Sequence, residues 1–233
     1  MVGGGGLIQL PALFGVYPQV APPFLLGTSK FAGLFGTTSA VMRYARTVTI
    51  PWRALLPLAI AILIAAVAGA ITATRVSPDV FRPLVPLMLI AVLIHLLHRK
   101  DLGAAHAPRE LTGQHRWGGI ALIAAIGFYD GFFGPGTGSL LMFIFVRVHG
   151  YDFLNAAASA RVLNVAANGA ALIYFSAHGY VLWPLAICMA VCNVAGALIG
   201  ARLALRGGSV LVRRIFIGVV SALILRTAWT AFH

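Results

Sequence analysis

The sequence predicts an all-α, polytopic membrane protein: an inverted repeat of transmembrane helices with glycine-broken re-entrant hairpins. Three observations predict this. Of 233 residues, 60% are hydrophobic and 9% charged, with a mean hydropathy of +0.94, a balance outside the range of soluble domains. Apolar runs of about 20 residues recur, each long enough to cross a hydrocarbon core about 30 Å thick. A glycine-rich, charge-poor motif is used twice, as Gly3-Gly4-Gly5-Gly6-Leu7-Ile8 and as GFYDGFFGPGTGSLLMF from Gly127 to Phe143. Each copy interrupts an apolar stretch. In lipid a broken backbone is tolerated only where it is buried in protein or lines a cavity, so paired breaks in matching positions point to a transport site.

The elements follow in order. After the first broken segment, continuous spans read as Phe24 to Tyr44, Arg53 to Thr74 and Val80 to Leu97. The second broken segment runs from Trp117 to Val148, and spans follow over Asp152 to Ala177, Val181 to Leu205 and Val210 to Ala231. Residues 1–97 form a first membrane repeat, 98–116 a cytoplasmic loop and 117–233 a second repeat. The loops are too short to fold separately, and nothing resembles a cleavable signal peptide. A net charge of +12 would suggest nucleic acid in a soluble protein. Here Lys and Arg sit mostly at span ends, where they meet anionic headgroups and fix topology, so no nucleic-acid partner is expected. Cys188 and Cys192 lie one turn apart in an apolar span with no His or carboxylate beside them. Helix packing explains them better than a disulfide or a metal site, and no cofactor is implied.

An offset of 131 positions aligns the two halves without a gap: Gly3 with Gly134, Gly5 with Gly136, Thr28 with Ser159, Lys30 with Arg161, Tyr44 with Phe175, Trp52 with Trp183 and Arg75 with Arg206. Matches among scarce tryptophans and cations point to a duplication. Whether the halves are parallel or inverted depends on Trp117 to Val148, which would measure about 48 Å as one helix, too long for an ordinary span. Gly131, Gly134, Pro135, Gly136 and Gly138 break it. As a crossing, it would put the cluster from Arg202 to Arg214 opposite Arg99 and Lys100. As a hairpin, it puts both clusters and Arg147 in the cytoplasm and leaves the uncharged loop around His178 outside, as the positive-inside tendency favours. Each repeat then has three spans and one hairpin, an odd number, so the halves are inverted. The first hairpin begins at its glycine tip, and an upstream arm is expected to have been lost.

GGGGLIQLPAL, LLGTSKFAGLFGTTSAV from Leu25 to Val41, GFYDGFFGPGTGS and ARVLNVAANGAAL from Ala160 to Leu172 closely resemble the sulfite exporter TauE/SafE family of membrane permeases. The resemblance covers nearly the whole chain, and the second hairpin sequence is its most specific part. It implies a multi-pass transporter of small anions, often sulfur oxyanions or organosulfonates, in a bacterial-type plasma membrane. It fixes neither substrate nor direction. The missing first arm is the departure from the family pattern.

Several residues could carry transport. Arg161 lies about nine residues into its span, roughly 14 Å deep, where a cation costs about 2.5–3.5 kcal/mol and needs a partner. A transported oxyanion is one candidate and Asp130 another. Lys30, the repeat mate of Arg161, is shallower and could contact substrate or snorkel to the interface. A helix starting after each glycine run would aim unpaired N–H groups at the centre, making Gly4, Gly5, Gly6, Gly136, Thr137, Gly138 and Ser139 candidate anion contacts. Close packing is the alternative for the glycines. Asp130 is the only acidic residue expected deep in the membrane; it could carry a coupling proton, cap the hairpin or hold Arg161. Thr28, Ser29, Asn164 and Asn168 could donate hydrogen bonds to an oxyanion, or serve interhelical packing. Trp52 and Trp183 fit aromatic-belt anchors.

The leading expectation is a secondary transporter for a small anion, with the lipid bilayer as its setting and a homo-oligomer as a further possibility. An anion channel would use the same cations. An intramembrane enzyme should show an activated Ser with His, paired aspartates or a HExxH helix, and none of these occurs. GPGTGS lacks the following Lys of a nucleotide loop.

Overall fold

The computed structural model describes residues 5–46, 48–97 and 113–197. Every regular element among them is a helix: α1 (Gly5–Val16), α2 (Pro22–Tyr44), α3 (Trp52–Arg75), α4 (Pro78–Leu97), α5 (Gly113–Phe132), α6 (Thr137–Arg147), α7 (Phe153–Ala177) and α8 (Trp183–Ala197). The all-α expectation holds. The expected span over Val210 to Ala231, the cluster from Arg202 to Arg214, and Gly3 and Gly4 lie outside the described residues.

Local chemistry sets the helix ends. Pro22 and Pro23 open α2, where a missing N–H costs nothing because the first turn has no partner for it. Asp152 caps α7 by accepting the Asn155 N–H at 2.7 Å, meeting one otherwise orphaned donor. Between α5 and α6 the chain breaks over residues 133–136. Gly134 and Gly136 have φ of +101° and +85°, a region that side chains with a Cβ rarely enter.

Small residues bring the backbones together. A Cβ on Gly131 would lie 1.9 Å from the Ala66 carbonyl oxygen, and one on Gly69 2.1 Å from that of Phe128. In lipid such close approach, rather than expulsion of water, drives helix association. Ile62 meets Gly127 and Ala66 meets Gly131, so α3 and α5 run in the same direction. By contrast, Gly27 meets Phe175, Gly33 meets Asn168 and Thr37 meets Asn164, so α2 and α7 run in opposite directions. Residues of α3, α5, α6 and α7 share a buried aliphatic core that includes Leu55, Ile62, Ile123, Leu141, Leu163 and Ala167, while α2 and the end of α7 join a second one around Leu25, Leu26, Phe81 and Phe175.

The outer faces are apolar as well: Leu56, Ile60, Ile64, Ile173, Ile187 and Val191 are all exposed. Two helices, Trp52–Arg75 and Leu154–Ala177, are long and apolar enough to cross a membrane, with mean hydropathies of 2.7 and 1.2. Trp52 and Trp183 stand exposed at the first residues of α3 and α8. Pro22 and Phe153 open α2 and α7, and Trp52 and Trp183 open α3 and α8, both pairs 131 residues apart.

Candidate functional site

The broken segment places charge at the centre of the bundle. As α5 ends, the N–H groups of Phe133 and Gly134 both return to the Tyr129 carbonyl, at 2.8 and 3.1 Å. The next carbonyl, that of Asp130, is taken by the Lys30 ammonium from α2. The same ammonium pairs with Asp130 Oδ2 at 2.7 Å. Lys30 is 4% exposed and Asp130 1%. A cation at a helix C-terminus is favoured by both the dipole and the unpaired carbonyls. Gly134 makes the approach possible, since a Cβ there would stand 2.8 Å from Lys30 Nζ.

A polar chain extends from the pair. Asn164 Nδ2 faces Asp130 Oδ1 at 3.4 Å, and Asn164 Oδ1 accepts from Asn168 Nδ2 at 3.1 Å and from the Thr37 hydroxyl at 3.5 Å. The turn itself is pinned twice. Tyr129 donates its hydroxyl to the Pro135 carbonyl at 2.5 Å, and Thr137 donates to that of Gly134 at 2.7 Å. Ser139, in the first turn of α6, is buried with no hydrogen-bond partner for its hydroxyl. Gly6 of α1 lies on the same turn, its Cβ position 3.8 Å from Pro135 Cα. The starts of α1 and α6 therefore meet near Lys30 and Asp130.

Other candidate residues are engaged elsewhere. Arg161 donates to the Ala157 carbonyl at 3.0 Å, and its guanidinium lies 4.5 Å from the centre of the Tyr44 ring. The buried partner of Asp130 is thus Lys30, and Lys30 does not snorkel: the turn reaching in from the other half of the chain covers it. Thr28 donates to the Phe24 carbonyl at 2.6 Å and accepts the Leu182 N–H at 3.1 Å, joining α2 to the start of α8. Ser29 is half-buried, and its carbonyl accepts from Gln9 Nε2 at 3.4 Å. Gly4 lies outside the described residues, and Gly5 begins α1. Cys188 and Cys192 are free thiols, exposed on α8 among the described residues.

Sequence reading missed three features. Tyr44 covers Arg161; an aromatic residue near the end of α2 was the available signal. Ser159 is fully buried with an unpartnered hydroxyl. His149, in the turn before α7, is buried between Phe145 and Tyr151, and that burial holds its imidazole below the ordinary pKa of 6.5.

The family model described as sulfite exporter TauE/SafE matches residues 1–227. The chain is 35% identical to a probable membrane transporter protein, ORF9, of Sinorhizobium sp, over 97% of this chain and 85% of that protein. It is 32% identical to the probable membrane transporter protein YfcA of Escherichia coli K12, over 95% and 81%. A probable membrane transporter protein of Haemophilus influenzae is 30% identical over 91% and 82%. No solved structure matches the chain.

Proposed function

Because the chain belongs to the sulfite exporter TauE/SafE family of membrane transporters, we propose that it is a multi-pass secondary carrier of small anions in the plasma membrane. Sulfur oxyanions or organosulfonates are the proposed cargo. The observation that carries this reading is the meeting of two glycine-rich helix starts beside one buried cation, Lys30. Backbone N–H groups at helix starts and a lysine ammonium are the chemistry that holds an oxyanion in a dry site. Gly136, Thr137, Gly138 and Ser139 of α6, Gly5 and Gly6 of α1, and Lys30 form the proposed centre. Asn164 and Asn168 line one side. Thr28 and Ser29 support α2, and Arg161, over Tyr44 at the end of α2, is the second proposed cation.

We divide the chain into inverted repeats over 1–97 and 117–233, joined by a cytoplasmic loop over 98–116. The contact between α2 and α7 supports the inversion. At an offset of 131, Gly33 corresponds to Asn164 and Thr37 to Asn168, so the neighbours Gly33–Asn168 and Thr37–Asn164 exchange with one another. Such self-complementarity is the mark of a two-fold axis. Helix directions support the hairpin. With α5 parallel to α3 and α7 antiparallel to α2, the start of α5 and the end of α6 belong to one face, the one bearing Arg43, Arg46, Arg53 and Arg147.

A flux panel in proteoliposomes tests the reading with sulfite, sulfate, thiosulfate, methanesulfonate and acetate, with and without a pH gradient. Saturable, exchangeable flux of at least one sulfur anion is expected. Carriage of acetate alone, or of none of them, overturns it, and flux that neither saturates nor exchanges would make the protein a channel.

A further inference from the structure

Lys30 holds Asp130 in two ways that differ in permanence. Its bond to the Asp130 carbonyl is to the backbone and caps α5; its bond to Oδ2 is to a side chain whose charge a proton can remove. Lys30 with Asp130 is also a buried ion pair, neutral as a unit. Resting on the anion-carrier reading, we infer that in the empty carrier Asp130 occupies the place on Lys30 that the transported anion takes. Each monovalent anion carried then brings one proton, held on Asp130.

The reasoning is one of charge. A monoanion entering beside an intact pair would leave the centre with a net negative charge, away from water and in a low dielectric. If Asp130 takes up a proton as the anion arrives, the ammonium keeps its carbonyl bond and turns the vacated N–H to the anion. The loaded centre is then neutral, like the empty one. Charge balances at each step: one anion and one proton enter, the Oδ2–H bond forms on binding, and it breaks on release at the other face. The absent side chain at Gly134 is what lets Lys30 Nζ reach this turn, a Cβ there standing 2.8 Å from it. The same turn leads into α6, where the buried Ser139 hydroxyl has no partner.

Among the described residues, the titratable and charged groups facing Asp130 are Lys30 from α2 and Tyr129 of its own helix. From α7 come Asn164 and, behind it, Asn168, while Arg161 is turned to Tyr44 and the Ala157 carbonyl. Against this end of α5, α3 presents Ala66 and Gly69, α6 brings Thr137 and Ser139, and α1 brings Gly6.

The test uses the full chain in proteoliposomes with methanesulfonate, whose single charge does not titrate, and with sulfite. In the wild type a pH difference of about one unit should drive about tenfold methanesulfonate accumulation, since the two gradients balance one for one. A potassium-diffusion potential alone should drive none. Asp130→Asn should still exchange methanesulfonate across the membrane, lose the pH-driven accumulation, and follow the imposed potential, because its empty centre carries the unbalanced Lys30 charge. Wild-type flux that follows potential and ignores pH overturns the inference whether or not the variant inserts. So does pH-driven accumulation that survives in Asp130→Asn. Either result leaves the anion-carrier reading standing, whereas a wild type that carries none of the sulfur anions in the panel sinks both.

Discussion

Gly131→Ala is the sharpest probe of how the bundle is held together. A Cβ at Gly131 would stand 1.9 Å from the Ala66 carbonyl oxygen, 2.7 Å from its carbon and 2.9 Å from its Cα, all backbone atoms that cannot swing aside. Ordinary contact begins at 3.4 Å, so α3 and α5 must part locally by about 1.5 Å. Overpacking of this kind costs about 1–3 kcal/mol, against a gain of roughly 0.5–1 kcal/mol from replacing a helical glycine. The net expectation is a loss of about 1–2 kcal/mol. Gly169→Ala is the matched control, since its nearest atom is Leu34 Cδ1 at 3.9 Å and only the helix gain remains. Thermal unfolding of the purified protein in detergent should show Gly131→Ala melting several degrees below wild type and Gly169→Ala at or above it. Because Asp130 is the adjacent residue, flux should fall in Gly131→Ala as well. Equal melting temperatures for the two variants would refute the close packing of α3 on α5.

Lys30→Met leaves Asp130 buried without its cation, which should cost about 3–5 kcal/mol and sharply reduce the yield of folded protein. Adding Asp130→Asn should restore the yield, read by size-exclusion chromatography, without restoring anion flux. In a background of Cys188→Ser and Cys192→Ser, Arg46→Cys and His178→Cys should react with a membrane-impermeant thiol reagent from opposite faces, since α2 and α7 are antiparallel. The lowered pKa of His149 makes its stabilisation complete above the unfolded value of about 6.5. It is lost as pH falls from there through the folded value, because the unfolded chain takes the proton first. His149→Phe should flatten the dependence of melting temperature on pH in that window.

Composition and spacing made the membrane class, the helix positions and the broken segment legible, because each depends on local chemistry: apolar length, proline and glycine placement, and cations at span ends. The expected start at Phe24 and the observed start at Pro22 differ only because proline suits a first turn. Pairing was not legible. Depth counted along its own helix makes Lys30 look shallow, but what buries it is Asp130, 100 residues away, together with the empty side of Gly134. The same counting makes Arg161 look stranded, while Tyr44 lies over it from an antiparallel neighbour. Long-range partners follow from helix direction and register, which a linear reading reaches only through an assumed symmetry.

The proposed symmetry is incomplete, and the break is physical. Thr28 and Ser159 correspond at the offset of 131, and both are fully buried. The Thr28 hydroxyl accepts the Leu182 N–H at 3.1 Å. The position equivalent to Leu182 is Pro51, which has no N–H to give, and the Ser159 hydroxyl is left without a partner. Opposite signs follow for two similar truncations. Thr28→Val keeps the shape and strands the Leu182 N–H, at a cost of roughly 1–3 kcal/mol. Ser159→Ala removes a hydroxyl already unmet, so its melting temperature should hold or rise. A fall as large as that of Thr28→Val would mean that Ser159 has a structural partner, and the account of Pro51 would fail. A rise accompanied by lost flux would instead give the hydroxyl to the anion, because a polar group kept unpaired at a stability cost is one that a ligand can satisfy.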